Sequence, residues 1–84
     1  MEYTVDCALI TDRKEFHRIL ADTLSFPDWY GNNLDALYDC LTSISVETHL
    51  ILNNWDVLPP AFRGFKAVLD EAEEENSHLI VTYR

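Results

Sequence analysis

Three short apolar runs, each separated from the next by a segment of helical period, leave this chain few folds to choose from. Tyr3-Thr4-Val5 marks a first strand over roughly residues 2–6. His49-Leu50-Ile51-Leu52 marks a second, and the β-branched run from His78 to Tyr83 a third. After the first strand, Asp12 reads as an N-cap in a capping-box-like start with Glu15. Phe16, Ile19, Leu20 and Leu24 then recur at helical spacing, which predicts a helix over 13–24. Pro27 ends it, because a proline disfavours helix in the residue before it. A second helical pattern runs from Leu34 through Cys40, Leu41 and Thr42 to Ile44. After the second strand, Asn53-Asn54 breaks the run, and Trp55 to Leu58 forms one helical turn. Pro59-Pro60 opens a last helix, whose apolar face is Phe62, Phe65, Val68, Leu69 and Ala72. Glu73-Glu74-Glu75-Asn76 reads as its solvated end, although acids there oppose the helix dipole. Helical crossovers make neighbouring strands parallel and their connections right-handed. The expected fold is α/β: one small domain over residues 1–84, with a three-stranded parallel sheet packed with helices. The second strand lacks clean alternation, which predicts cover on both faces.

Size and charge narrow the function. A chain of 84 residues buries only about 60–65% of its unfolded surface and has no room for a cleft between domains. Its 15 Asp and Glu against 6 Lys and Arg give a formal charge of −9. Such a surface repels nucleic acid and anionic membranes and attracts a basic partner. The bland account of the same charge is solubility. Met1-Glu2-Tyr3-Thr4-Val5-Asp6 has no basic region ahead of a long apolar one, so no signal peptide is expected. Cys7 and Cys40 have no zinc-site or disulfide-framework spacing, and a reduced, cytoplasmic monomer is the simplest expectation. His17, His49 and His78 are too scattered to hold a metal, and no cofactor is expected. Catalysis is not expected either, because no nucleophile elbow, P-loop or CxxC occurs.

The densest segment is Trp29-Tyr30-Gly31-Asn32-Asn33-Leu34-Asp35-Ala36-Leu37-Tyr38-Asp39. Gly31 and Asn32 tolerate the positive φ that a sharp reversal needs. Either Asn32 or Asn33 can cap the helix that follows. Leu34, Leu37, Leu41 and Ile44 fall on one stripe with Tyr38 at its edge, and Asp35 and Asp39 fall on the opposite face. Like charges at that spacing cost roughly 0.2–0.5 kcal/mol. Asp35 recovers part of this from the helix N-terminus, and Asp39 recovers less. Aromatics beside carboxylates on a capped helix suggest a contact surface.

This segment, continued through Cys40-Leu41-Thr42, resembles the signature of the barstar family, the intracellular inhibitors of barnase-type ribonucleases. The resemblance covers the chain in length and element order and is specific in this segment. Leu69-Asp70-Glu71-Ala72 also resembles the family's last helix, in which one glutamate faces the enzyme. The resemblance implies a proteinaceous inhibitor that plugs the active site of a basic, extracellular-type ribonuclease. Asp39 would take the place of the substrate phosphate among basic groups, and Asp35 would pair at the rim. Trp29 would stack over the enzyme's surface. Gly31 and Asn33 would allow close approach. Leu34 and Tyr38 would fill the central apolar contact, Thr42 would lie at the periphery, and Glu71 would add a salt bridge. The physical basis is that a site built for phosphate offers cationic donors, which a rigidly held carboxylate also satisfies. Tyr38 and Ile44 stand where the prototype has tryptophans, Trp29 where it has tyrosine, and Asn32 where it has an acid.

Each of these residues also has a plainer reading. Asp35 and Asp39 could be solvated helix charges, Glu71 one acid among many, and Trp29 a core residue. Trp55, with no acidic neighbours in sequence, is expected in the core. The alternative function is an acidic interaction module that binds another basic protein and inhibits no ribonuclease.

Overall fold

The computed structural model describes the chain from Met1 to Arg84. Strand β1 spans Glu2–Asp6, helix α1 Arg13–Leu24, helix α2 Leu34–Thr42, strand β2 Thr48–Asn53, helix α3 Arg63–Glu75 and strand β3 Leu79–Tyr83. Short 3-10 turns occupy Cys7–Leu9, Trp55–Val57 and Pro60–Phe62. The sheet has the order β1-β2-β3 and is parallel throughout, with Tyr3 opposite Leu50 and Leu50 opposite Val81. This is the three-stranded parallel α/β architecture expected from the sequence.

Both crossovers step the same way across the sheet, so right-handed connections stack every helix on one face. Val5, Leu50, Leu52, Leu79 and Val81 meet Phe16, Leu20, Leu37, Leu41, Phe65 and Leu69 there in one core. The other face carries no helix, and Glu2, Thr4, Asp6 and Ile80 on it are exposed. The expectation that β2 is covered on both faces is therefore corrected. Ile51 is buried on the open side, outside the main core, and His49 shares a 2.7 Å hydrogen bond with Thr82 there. Two strands flanking a central one shelter Ile51 without a second helical layer.

Asp12 caps α1 as expected, its Oδ1 accepting from Glu15 N at 2.8 Å. Glu15 does not reach back to complete a capping box and pairs with Arg18 instead. Helix α2 ends at Thr42, short of Ile44, because the Thr42 and Ser43 hydroxyls donate to the Tyr38 and Asp39 carbonyls. The expected solvated end of α3 holds at Glu74 and Glu75, which are exposed, and is corrected at Glu73 and Asn76. Asn76 is buried, and its Nδ2 donates to both Leu41 O and Ile44 O at 2.9 Å. Its Oδ1 accepts from His78 N, and Leu79 N donates to Asn76 O, so β3 begins one residue later than expected. Glu73 Oε2 accepts from Val81 N at 2.6 Å, which satisfies a donor on the outer edge of β3. Those residues stitch α2, α3 and β3 together. Trp55 is half-buried, with its ring 5.0 Å from Tyr83 and 6.2 Å from Phe16.

Cys7 and Cys40 are both free and buried. Burial, with Asp6 adding to it, pushes the Cys7 thiol up to about 11, and Cys40 is raised the same way with Asp39 adding. Neither is a nucleophile near neutral pH. No helix is long and apolar enough to cross a membrane.

Candidate partner-binding face

The turn into α2 is built by a division of labour that differs from the expected one. Asn32 takes the left-handed conformation, with φ at 53°, whereas Gly31 has no positive φ. Gly31 is needed for space: a Cβ there would come within 3.0 Å of Asn33 Nδ2. Asn33 is the cap, its Oδ1 accepting from Ala36 N at 2.8 Å while its Nδ2 reaches Gly31 O at 3.4 Å. The Asn33 amide is thus committed to the turn and fixes where α2 starts.

Behind the turn, Tyr30 anchors it to the body. Its hydroxyl shares a hydrogen bond with Nδ1 of His17, a residue only 5% exposed. The His17 ring lies 4.8 Å from Phe65, and the Tyr30 ring 4.9 Å from Phe26. Burial holds the His17 pKa below its ordinary value, with Arg13 adding to the effect, and burial raises the Tyr30 phenol. Both groups are therefore neutral near pH 7, as a buried hydrogen-bonded pair requires. On α2 itself, Leu37 and Leu41 are fully buried. Each contributes roughly 1.5–3 kcal/mol toward holding the helix down.

The outward side of α2 presents the acids. Asp35 and Asp39 are exposed and make neither an ion pair nor a side-chain hydrogen bond within the chain. Every ion pair lies elsewhere: Arg18 with Glu15 and Asp22, Lys66 with Asp70, His49 with Glu2, and His78 with Glu47. Helix α3 packs against α2, and its Gly64 leaves room for the Leu34 side chain, since a Cβ there would meet Leu34 Cδ1 at 3.1 Å. Along this seam a shallow depression of about 340 Å³ is lined by Leu34, Asp35, Tyr38, Asp39, Val68 and Glu71. Partial burial raises the Tyr38 phenol, and the charges of Glu75, Glu71 and Asp39 raise it further. The depression therefore has an apolar floor of Leu34, Tyr38 and Val68 and a negatively charged rim.

Five of the residues singled out in the sequence, Leu34, Asp35, Tyr38, Asp39 and Glu71, thus come together in one depression. Gly31 and Asn33 form the turn at its end. Thr42 is half-buried and spends its hydroxyl on Tyr38 O at 2.8 Å. Trp29 stands apart, 66% exposed, on the other flank of α2 beside Phe26, Pro27, Cys40 and Ile44. Its plainer reading as a core residue does not hold. Sequence reasoning passed over Val68, which it assigned to the core face of α3. A helix wheel puts Val68 within reach of the seam only when the partner helix is known.

Comparison with known proteins identifies the family. The family model described as Barstar (barnase inhibitor) matches residues 1–83. The chain is also 40% identical over 79 residues to the Bacillus subtilis (strain 168) protein named "Putative ribonuclease inhibitor YrdF". That match covers 80% of this chain and 86% of the relative. With the family model spanning nearly its whole length and a relative this similar, the chain belongs to the barstar family.

Proposed function

We propose that this protein inhibits a basic ribonuclease by seating the acidic face of α2 in the enzyme's active site. The observation that carries this reading is the state of Asp35 and Asp39. They are held outward on a helix whose start is fixed by the Asn33 cap and whose inner face is anchored by Leu37 and Leu41. Nothing in the chain neutralises them. Their mutual repulsion and their lack of partners are both relieved by a cationic site. In this reading Asp39 occupies the position of the scissile phosphate among the enzyme's basic groups, and Asp35 pairs at the rim. Glu71 adds a charge from α3, and Trp29 covers the enzyme surface on the far flank. Leu34 and Tyr38 supply the apolar contact, Gly31 and Asn33 the close backbone approach, and Thr42 the periphery. The name of the Bacillus subtilis relative supports the same role. Little ordering is needed on binding, which favours affinity. The excess of acid speeds encounter with a basic enzyme and makes the association rate fall with salt.

The test is a titration of the purified protein into a panel of basic microbial ribonucleases while RNA cleavage is followed. Activity should fall linearly to completion at one inhibitor per enzyme for at least one of them. Absence of inhibition and of binding across the panel would sink the ribonuclease reading. A pull-down that instead returned a basic protein without ribonuclease activity would install the interaction-module reading.

A further inference from the structure

A hydrogen bond made inside an aromatic nest ties α1 to the turn into α2. It joins Nδ1 of the buried His17 to the Tyr30 hydroxyl, with the Phe65 ring against His17 and the Phe26 ring against Tyr30. Tyr30 N also donates to Pro27 O at 3.0 Å, so the residue before Gly31 is held by both its backbone and its side chain. The start of α2 depends on that hold. Asn32 sits at a positive φ, and Asn33 Oδ1 must reach Ala36 N for the helix to begin where it does.

No charge near His17 favours its protonation. From α1, Arg13 and Lys14 line a cavity of about 400 Å³ together with the ring. The turn and the starts of α2 and α3 line it only with uncharged residues, Asn32, Asn33 and Gly64 among them. From α2, the Cys40 thiol lies close enough to act on the Tyr30 phenol. His17 takes part in no ion pair, and no carboxylate lines the cavity. A second ring proton is therefore unfavourable at either nitrogen. On Nδ1 it forces the Tyr30 hydroxyl to accept, which leaves the phenol hydrogen to its apolar surroundings. On Nε2 it sets a charge beside two cations. The cavity offers relief. The exposed Arg13 and Lys14 line it, so a charged ring that swings into it reaches water and lets go of Tyr30. Burial, with Arg13 adding, keeps the His17 pKa below its ordinary value, so the neutral form prevails above about pH 6.5.

We propose that His17 is a positioning residue for the α2 face: neutral, it holds Tyr30 and the turn in the binding arrangement, and protonated, it releases both while the sheet stays folded. The release is a property of the chain alone, and its effect on binding rests on the ribonuclease reading. The experiment follows the full chain by NMR from pH 7.5 to pH 5. It reads the His17 ring titration and the protection of single amides, each relative to an unstructured amide at the same pH. The Ala36 amide, held by the Asn33 cap, should lose protection by up to about tenfold per pH unit as pH falls from about 6.5 to the folded value. Leu50 and Leu52 in β2 should keep theirs. In His17→Gln, which retains a neutral hydrogen-bonding side chain, the pH dependence at Ala36 should disappear. Should that variant not fold, Tyr30→Phe replaces it: Ala36 should be poorly protected already at pH 7.5 and should not follow the ring. Ala36 protection that ignores the His17 titration, or that falls equally in His17→Gln, would overturn the proposal. So would loss at Leu50 and Leu52 in step with Ala36, which is unfolding of the whole chain. A ribonuclease that the chain inhibits should bind the parent about threefold or more weakly at pH 5 than at pH 7.5, beyond any change seen with His17→Gln. Identical pH profiles would overturn the positioning role. Absence of any such ribonuclease counts against the ribonuclease reading, and the exchange result alone then decides the release.

Discussion

The α2 face and the C-terminal end of α3 look alike in sequence, since each is a short acidic stretch on an amphipathic helix. In the fold they do opposite things. Asp35 and Asp39 stay exposed and unpaired. At the end of α3, Glu73 turns inward to hold Val81 N, and Asn76 bridges α3 to the last turn of α2 and to the start of β3. The difference lies in what each stretch faces. Beyond α2 lies solvent, whereas the end of α3 runs beside an unpaired sheet edge and beside the Leu41 and Ile44 carbonyls at the end of α2, which take the Asn76 amide as donor. An acidic cluster therefore marks a binding face only where the fold leaves it without internal work.

Four experiments bear on this contrast. The largest effect is expected from Asp39→Ala. It should remove about 3–5 kcal/mol of affinity for a cognate ribonuclease, because the enzyme's cations would lose the charge that satisfies them. Chain stability should stay within about 0.5 kcal/mol of the parent or rise slightly as the repulsion from Asp35 is relieved. Calorimetric binding and denaturant melts check both halves, and a large stability loss would erase the distinction between the two stretches.

Asn76→Ala should do the reverse. It removes the amide donor from Leu41 O and Ile44 O and should cost about 2–3 kcal/mol of stability by urea denaturation. Binding by the fraction that remains folded should be unchanged. A neutral outcome would mean that water replaces the amide, and that the end of α3 is no more structural than α2.

Glu73→Ala should lie in between, losing about 1–2 kcal/mol of stability through the Val81 amide. Hydrogen exchange at Val81 should accelerate with it. Glu74, exposed and without a bond to any other residue, is the matched control, and its replacement by alanine should stay within about 0.5 kcal/mol. Equal effects at the two positions would remove the evidence that Glu73 guards the edge.

The smallest effect concerns the support behind the α2 turn. Burial lowers the His17 pKa in the folded chain, with Arg13 adding to the shift. The unfolded chain therefore binds a proton here first, and this contribution to stability is present above about pH 6.5. It is lost as pH falls through the folded value. Denaturation midpoints measured from pH 7.5 down to pH 5 should show a steeper decline for the parent than for His17→Gln. Parallel curves would show that the His17–Tyr30 pair does not hold the turn through its neutral form.

Much of the architecture was legible because it rests on local rules. The Asp12 cap, the bounds of α1 and the parallel order of strands follow from spacing and from helical crossovers alone. Leu34, Asp35, Tyr38 and Asp39 stood out together only through the resemblance to the barstar family, because the helical wheel set the two acids opposite the apolar stripe, whereas the structure gathers all four along one seam. Positions that depend on a second element were not legible. Val68 joins the depression only because α3 packs against α2. Ile51 is buried only because its neighbours on both sides shelter it. Gly31 looked like a conformational glycine and is a spatial one, because its restriction comes from the Asn33 side chain folding back over it.

The sequence by itself determined the α/β class, the capped turn into α2 and the outward placement of Asp35 and Asp39, because periodicity and capping act over a few residues. The tertiary structure alone decided which acids are free and which are bound. It set Glu73 and Asn76 against the sheet edge and the α2 carbonyls, brought Glu71 and Val68 to the acidic face, and gathered Arg13, Lys14 and His17 around one cavity. A side chain's partners across the fold depend on how helices dock, and no single-segment pattern encodes that distance.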